Sequence, residues 1–282
     1  MVILLGLAAA VLYGGGDFIG GLATRRAHVL TVLMLVESAG VITALAVAAI
    51  SPGPASLAGL AWGASAGLVG GFGLIVFYIG LATGPMSVVA PVSGLVATVL
   101  PVAVALAEGE RPGPGVYAGA LLCLAAIVLA SSAGEVGATR RPGRPGRAIA
   151  YGMASGIAFG LFFLLIRNAG QSGEVWPVAF ARIGELAAVL GAAAVLRRGP
   201  LPRGTDGRLL AAAAFAGVID VVANICYVAA TRTGMFGLAV VMASLYPGVT
   251  VLLARAVLGE RLRWVQRAGL GLAAIGIILV TT

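Results

Sequence analysis

The sequence predicts an all-α polytopic membrane protein with ten transmembrane helices, arranged as two inverted repeats of five helices each. Three observations lead to this fold class: the composition, a series of long apolar runs, and an internal repeat. Hydrophobic residues make up 60% of the chain and charged residues only 10%, whereas a soluble domain carries about 25% charged residues. The chain therefore has too little polar surface for a soluble globule, and its mean hydropathy of +1.08 fits a protein embedded in lipid.

The apolar runs have the length that a membrane requires. A helix needs about 20 apolar residues to cross the hydrocarbon layer of about 30 Å, and it satisfies its own backbone hydrogen bonds there. On this measure the chain divides into ten predicted helices, at residues 3–23, 29–50, 57–80, 86–107, 114–133, 148–167, 176–196, 208–230, 236–257 and 264–281.

The second half of the chain repeats the first. The segment LAEGERPGPGVYAGALLCLAAIVL at 106–129 aligns without a gap with AVLGERLRWVQRAGLGLAAIGIIL at 256–279. We therefore predict a first repeat at 1–133, a polar linker rich in Arg, Pro and Gly at 134–147, and a second repeat at 148–282. Because five helices is an odd number, the second repeat must begin on the opposite side of the membrane. Inverted repeats are typical of secondary transporters with a site near the bilayer midplane; the alternative is that duplication only built a larger bundle.

Glycines recur every fourth residue along two predicted helices. Gly63, Gly67 and Gly71 form one series, and Gly152, Gly156 and Gly160 form the other. Small residues at this spacing let two helix backbones approach closely. We interpret both series as packing faces.

The pattern as a whole resembles a known family. Ten apolar runs, a five-plus-five repeat and a Gly-Glu-Arg motif after the fourth helix of each half (109–111 and 259–261) resemble the EamA-type branch of the drug/metabolite transporter superfamily. The segment at 244–279 is similar to the second-half signature. The resemblance implies a carrier of small metabolites, often an exporter of amino acids or related solutes, with a central cavity between the halves. We interpret the Gly-Glu-Arg motifs as turns and anchors, with direct substrate contact as the alternative.

The arginines and the resemblance disagree about orientation. Counted with the adjoining helix ends, the loops that follow odd-numbered predicted helices hold 13 arginines, and those that follow even-numbered helices hold 3. The positive-inside rule then places both termini outside the cell, whereas the resemblance implies that both are cytoplasmic. The orientation stays open at this point.

Asp17 is the one charge in the first apolar run, within YGGGDFIGG at 13–21. A charged side chain at the bilayer centre costs about 2.5–3.5 kcal/mol on insertion scales, so such residues usually face a cavity or a partner. We expect Asp17, together with Glu37 and Glu185 in later helices, to be a candidate site for coupling to protons or a cation. The alternative is a carboxyl group that is neutral or hydrogen-bonded and serves packing.

Polar residues of the second half are candidates for substrate binding. Arg182 precedes Glu185 by three residues, so the two can pair on one helix face; alternatively, Arg182 binds a substrate carboxylate, as the resemblance implies. Asp220 and Asn224 are four residues apart, and the first half has Gly70 and Leu74 at the matching positions. The full set of substrate-binding candidates is Tyr13, Tyr78, Arg182, Asp220, Asn224 and Tyr227.

Enzyme and metal sites find little support. The hydrolase pattern Gly-x-Ser-x-Gly occurs at 63–67, but it lies within a predicted transmembrane helix and the single histidine, His28, is in a loop. Cys123, Cys226 and His28 are too few and too scattered for a zinc site. We therefore expect no enzymatic activity, no catalytic residue, no metal and no cofactor.

The sequence thus predicts a secondary transporter for a small amino-acid-like or drug-like solute, working by alternating access as an exporter or exchanger, with proton coupling as a candidate. The alternatives are a facilitative, channel-like permease and, more remotely, a membrane-embedded enzyme. The expected partners are a small-molecule substrate, the lipid bilayer and protons, without nucleic acid. We expect a monomer or weak homodimer in the bacterial cytoplasmic (inner) membrane, as a multi-pass protein.

Overall fold

The computed structural model describes residues 1–24, 26–51, 56–83, 86–131, 145–170, 175–196, 206–258 and 264–281. Within these residues the chain forms helices, turns and short connections, without a strand. The helices are α1 (Val2–Thr24), α2 (Val29–Ile50), α3 (Leu57–Thr83), α4 (Met86–Ala107), α5 (Pro114–Ser131), α6 (Pro145–Gly170), α7 (Val175–Val195), α8 (Gly207–Thr233), α9 (Phe236–Ala243), α10 (Tyr246–Leu258) and α11 (Trp264–Thr281). Most of the predicted linker, at 134–144, and the second Gly-Glu-Arg motif at 259–261 lie outside the described residues.

Six of the helices are long and apolar enough to cross a membrane: Val2–Thr24, Val29–Ile50, Leu57–Leu81, Gly146–Ala169, Val175–Val195 and Gly207–Thr233. Shorter apolar helical segments lie at Val92–Ala107 and Pro114–Ala126, and a third, Phe236–Thr250, is interrupted between Ala243 and Tyr246. The chain is therefore an all-helical, multi-pass membrane protein, and the total of ten spans stays a prediction.

The predicted single helix at 236–257 is wrong. The chain forms two helices there, since α9 ends at Ala243 and α10 begins at Tyr246. Pro247, in the first turn of α10, has no N–H group, so the carbonyl oxygen of Ala243 four residues earlier receives no helical hydrogen bond from it. Proline fits well in the first turn of a helix, and its position explains why one helix stops and another starts.

The helices of the two halves pack against each other in matching pairs. Helix α3 packs on α6 and α7, as α8 packs on α1 and α2. Helix α4 packs on α6, as α9 and α10 pack on α1, while α5 packs on α11 and α2 on α7. Exchanging the halves converts the contacts of α3 and α4 into those of α8, α9 and α10, and it leaves the pairs α5 with α11 and α2 with α7 unchanged. This agreement supports the duplication, whereas the inverted orientation in the membrane stays a prediction.

Glycines at corresponding positions make two of these contacts possible. A Cβ atom on Gly67 of α3 would overlap the backbone of Ala181 in α7, and one on Gly217 of α8 would overlap the carbonyl of Val36 in α2. A Cβ atom on Gly156 of α6 would lie 2.6 Å from the carbonyl oxygen of Ser93 in α4. Both predicted glycine faces therefore contain positions where the backbones touch, as the packing interpretation requires.

The outside of the bundle is apolar. Large hydrophobic side chains are well exposed on α1, α2, α3 and α5, among them Leu4, Ile42, Phe72 and Leu121. In a soluble protein such an extended apolar surface would be unusual. On a membrane protein it is the surface that meets lipid.

Candidate functional site

A cavity lies between the two halves at mid-depth of the bundle. Its volume is about 70 Å³, and its lining comes from α1, α3, α6, α7, α8 and α10. It brings together six of the nine sequence-predicted site residues: Tyr13, Asp17, Arg182, Glu185, Asp220 and Asn224. Charged and polar groups that are far apart in sequence therefore line a common space.

Arg182 is the centre of a buried charge cluster. Its Nη1 atom lies 2.8 Å from Oε2 of Glu185, one turn along α7, and 2.5 Å from Oδ2 of Asp220 on α8. The same Nη1 donates a hydrogen bond of 3.1 Å to Oε2 of Glu37 on α2. The side chains of Arg182, Glu37 and Glu185 are all buried, and that of Asp220 is 23% exposed. One guanidinium group thus contacts three carboxylates from three helices.

Asp17 adds a fourth carboxylate to the same cavity. It lies on α1, is half-buried, and makes no hydrogen bond or ion pair with the described residues. Its position on α1 depends on a close helix approach, because a Cβ atom on Gly14 would lie 2.5 Å from the carbonyl oxygen of Tyr246. Glycine at this position lets α1 reach α10, and Asp17 then faces the cavity one turn later.

A hydrogen-bonded chain joins the two halves across the cavity. The hydroxyl of Tyr13 on α1 donates to Oδ1 of Asn224 on α8, at 2.9 Å. The amide of Asn224 in turn donates to the backbone carbonyl of Asp220, at 2.9 Å. Because the amide nitrogen is used in this way, the carbonyl end of Asn224 points towards Tyr13, and the tyrosine fixes its orientation.

Aromatic rings form much of the remaining wall. Phe159, Phe162 and Phe163 of α6 and Tyr246 of α10 line the cavity. The ring of Tyr13 meets those of Phe163 and Tyr246 edge to face, each with a centroid distance of 6.4 Å. The three phenylalanines were missed as site residues in the sequence, although the run AFGLFF at 158–163 places aromatic residues both three and four positions apart on a helix.

Three of the predicted site residues lie behind the lining. Tyr78 is buried against Phe77, with ring centroids 5.9 Å apart. Tyr227 packs on Phe163 at 4.7 Å, and its hydroxyl donates to the Phe163 carbonyl at 3.4 Å. Glu37 lies beyond Arg182 and reaches the cavity only through it. Their predicted contacts with substrate or ions stay predictions.

The repeat places unlike residues on opposite walls. Gly70 and Leu74 of α3 line the cavity, as do Asp220 and Asn224 of α8, which hold the corresponding positions in the second half. At these two positions the first half is apolar and the second half carries an acid and an amide, while Tyr13 and Asp17 of α1 supply the polar groups of the first half. Among the described residues, no three or more His, Cys, Asp or Glu side chains are arranged so that they could hold a metal ion.

The second half of the chain is similar to a known protein family. Residues 146–282 match the model of the EamA-like transporter family. Within these residues, just under half of the chain, the sequence is that of an EamA-like transporter. The resemblance stated from the sequence is thereby confirmed. EamA-like proteins are membrane transporters of small molecules and not enzymes.

A solved structure shares the fold of this chain. A crystal structure described only as that of a protein superposes with a TM-score of 0.74, covering 99% of this chain and 96% of the other. The two sequences are 18% identical, so the likeness concerns the fold alone. A comparison with curated proteins gives no match.

Proposed function

We propose that the protein is a secondary carrier that moves a small, positively charged solute across the bacterial inner membrane by alternating access, in exchange for protons. The observation that carries the proposal is the acid-rich cluster in a cavity between two related halves. In this proposal residues 1–133 and 148–282 are the two moving units, joined by the linker at 134–147. The protein works as an exporter or exchanger, as a monomer or weak homodimer.

The charge of the cavity sets the class of solute. Arg182 supplies one positive charge, against carboxyl groups on Glu37, Glu185, Asp220 and Asp17. An uncompensated buried charge costs several kcal/mol, so carboxylates in excess of the guanidinium require further positive charge. Protons or a cationic solute group supply it, and the two can compete for the same acids. This competition is the physical basis of exchange.

The aromatic wall suits the same class of solute. Rings such as those of Tyr13, Phe163 and Tyr246 attract a cation over their faces, and they also pack against an apolar or aromatic body. The cavity in this conformation holds roughly five water molecules by volume. A solute of about this volume therefore fits closely, and entry of a larger solute requires the halves to separate.

Arg182 is poorly placed to receive a substrate carboxylate. Its Nη1 is already surrounded by three carboxylates. An incoming anion would face the repulsion of the surrounding acids. We therefore propose that Arg182 orders the acidic groups, and that Asp17 and Asp220 meet the solute.

Transport in proteoliposomes tests the solute class. Three compounds share a phenyl ring and differ in charge: 2-phenylethylamine is a cation, phenylalanine a zwitterion and 3-phenylpropionate an anion. We expect the amine to be exchanged fastest and the anion not to be exchanged. Faster exchange of the anion than of the amine would show that the charge argument is wrong.

Proton coupling and carrier behaviour are measured in the same vesicles. An imposed proton gradient should accelerate net flux of the amine, and Asp17→Asn should remove that acceleration while equilibrium exchange of labelled for unlabelled amine continues. Counterflow exchange identifies a carrier. Ion conductance without counterflow would instead identify the channel-like permease and overturn the proposal.

A further inference from the structure

The first Gly-Glu-Arg motif ends α4 in a defined turn. The N–H of Glu110 donates to the carbonyl of Ala105 at 3.0 Å, and the N–H of Gly109 donates to that of Leu106 at 3.1 Å. This pair of hydrogen bonds is the Schellman ending of a helix, which needs a left-handed residue just after the helix. Gly109 supplies that residue with φ +94°. The turn redirects the chain so that Glu110 points away from α4.

Glu110 caps a helix of the other half. Its Oε1 accepts a hydrogen bond of 2.6 Å from the N–H of Phe236, and its Oε2 accepts one of 3.0 Å from the N–H of Gly237. These are the first two N–H groups of α9, and Met235 at the N-cap position offers them no side-chain acceptor. A carboxylate at a helix N-terminus also interacts favourably with the helix dipole. The acid from the first half thus completes a helix of the second.

An ion pair and a cation–π contact lie beside this cap. Nη1 of Arg167, near the end of α6, lies 2.6 Å from Oε2 of Glu108. The Arg167 guanidinium also lies over the ring of Phe236, 4.1 Å from its centroid. Phe236 itself is buried. The ends of α4, α6 and α9 are therefore held together by contacts that cross between the halves.

These contacts lie directly beyond the cavity. Phe159, Phe163 and Arg167 recur every four residues on α6, so they share one helix face. Phe159 and Phe163 line the cavity, and Arg167 follows one turn, about 6 Å, further along. The ring of Tyr227 packs on that of Phe163. The contacts of Arg167 with Glu108 and Phe236 thus lie next to one end of the α6 wall of the cavity.

The repeat does not provide the same set of contacts at its matching positions. Glu110 corresponds to Glu260, but Glu108 corresponds to Leu258, and Arg167 corresponds to Gly21 in the alignment of α1 with α6. The capping acid is thus duplicated in the sequence, whereas the ion pair and the cation–π contact are not.

We propose that Glu108, Glu110, Arg167 and Phe236 form a latch that holds this end of the carrier shut, and that the latch must open once in each transport cycle. The inference rests on the alternating access proposed above. The bidentate cap of Glu110 is its stronger part, because an ion pair as exposed as that of Arg167 with Glu108 contributes little.

A distance measurement tests the latch without any substrate. Spin labels are attached at Gly113→Cys in the first half and Thr233→Cys in the second, both at exposed positions near the latch. The native thiols are removed by Cys123→Ala and Cys226→Ser, and distances are measured by pulsed electron spin resonance in nanodiscs. In the parent we expect one dominant short distance, with a minor longer one when this end opens.

Glu110→Gln should raise the ratio of open to closed molecules about tenfold, as loss of a charged helix cap would. Arg167→Gln should raise this ratio by a smaller factor. Arg167→Glu and Glu108→Arg should each raise the ratio alone, and the double variant should partly restore the parent ratio. Arg111→Gln is the matched control, since Arg111 is exposed and makes no ion pair with the described residues. Its distances should not change.

The outcomes separate the latch from the transport proposal. A longer distance in Glu110→Gln and Arg167→Gln, without change in Arg111→Gln, supports the latch even if the chosen amine is not transported. Unchanged distances in both latch variants, or an equal change in Arg111→Gln, overturn it. If Glu110→Gln elutes as an aggregate in size-exclusion chromatography, Arg167→Gln and the charge reversal decide the question, because Arg167 lies partly exposed at a helix end.

Discussion

The charge cluster around Arg182 predicts that the loss of stability differs in size between substitution of the arginine and substitution of one of its acids. Arg182→Gln removes the one cation that contacts Glu37, Glu185 and Asp220. Glu185→Gln removes one of three acids and leaves the arginine with two. In a cluster of balanced charges the two substitutions would cost about the same. In an acid-rich cluster they should not.

The magnitudes follow from what each substitution leaves unpaired. Removing one partner of a buried ion pair costs about 3–5 kcal/mol because the other charge remains buried. Arg182→Gln leaves carboxylates on Glu37 and Glu185 that are both almost fully buried, so we expect a loss at the upper end of that range. Glu185→Gln reduces the surplus of acids, and we expect a change within about 1 kcal/mol, in either direction.

A thiol-reactive fluorophore measures the unfolding. Cys123 is buried in the folded protein, so its labelling during a temperature ramp in detergent reports when the bundle opens. Arg182→Gln should unfold at a clearly lower temperature than the parent and Glu185→Gln close to it. Arg26→Gln, at an exposed position between α1 and α2, serves as the control and should change stability by no more than about 0.5 kcal/mol.

The pH dependence of stability is a second test of the same reasoning. As the pH falls from 8 to 5, protons become available to neutralise the carboxylates that Arg182→Gln leaves unpaired. The stability gap between this variant and the parent should therefore narrow at lower pH. A Glu185→Gln variant as unstable as Arg182→Gln, together with a gap that is constant with pH, would refute the acid-rich description of the site.

Two further predictions concern the close packing of helices and the hydrogen bond that orients Asn224. Gly67→Ala should destabilise the protein by about 1–3 kcal/mol, because the added methyl group overlaps a backbone on α7, whereas Gly191→Ala, with open space around it, should be neutral or slightly stabilising in the same thermal assay. Tyr13→Phe should weaken solute binding about fivefold in equilibrium exchange, since Asn224 loses the hydrogen bond that orients it; Tyr117→Phe, at an exposed position on α5, should leave binding unchanged.

The helices could be predicted because lipid imposes a length and a composition on them. The predicted and observed starts of α2, α5 and α11 coincide, at Val29, Pro114 and Trp264. The break after Ala243 was missed because an apolar run looks the same whether its helix is continuous or interrupted. Pro247 was visible, but a proline can either bend a helix or start a new one. Only the tertiary packing distinguishes these outcomes.

The candidate site was predictable in its chemistry more than in its geometry. A carboxylate or guanidinium within an apolar run stands out because lipid penalises it, and so Asp17, Arg182 and Asp220 could be recognised. Which acid contacts which base depends on contacts between α2, α7 and α8, and the spacing along α7 revealed only the pair of Arg182 with Glu185. The phenylalanines of α6 carry no such signal, because aromatic residues occur both on surfaces that face lipid and in the walls of cavities.

The duplication itself explains how such a site can arise. Two related halves that face each other bring matching positions to opposite walls of one cavity, as Gly70 and Asp220 show. If both positions were acidic, the two carboxylates would repel each other across a space of low polarity. If both were apolar, the cavity would have no polar group at these positions to replace the water that hydrates a charged solute. Divergence after duplication avoids both outcomes: in the proposed carrier the charged group of the solute would meet the acidic wall of α8, and the apolar wall of α3 would leave room for the rest of the solute.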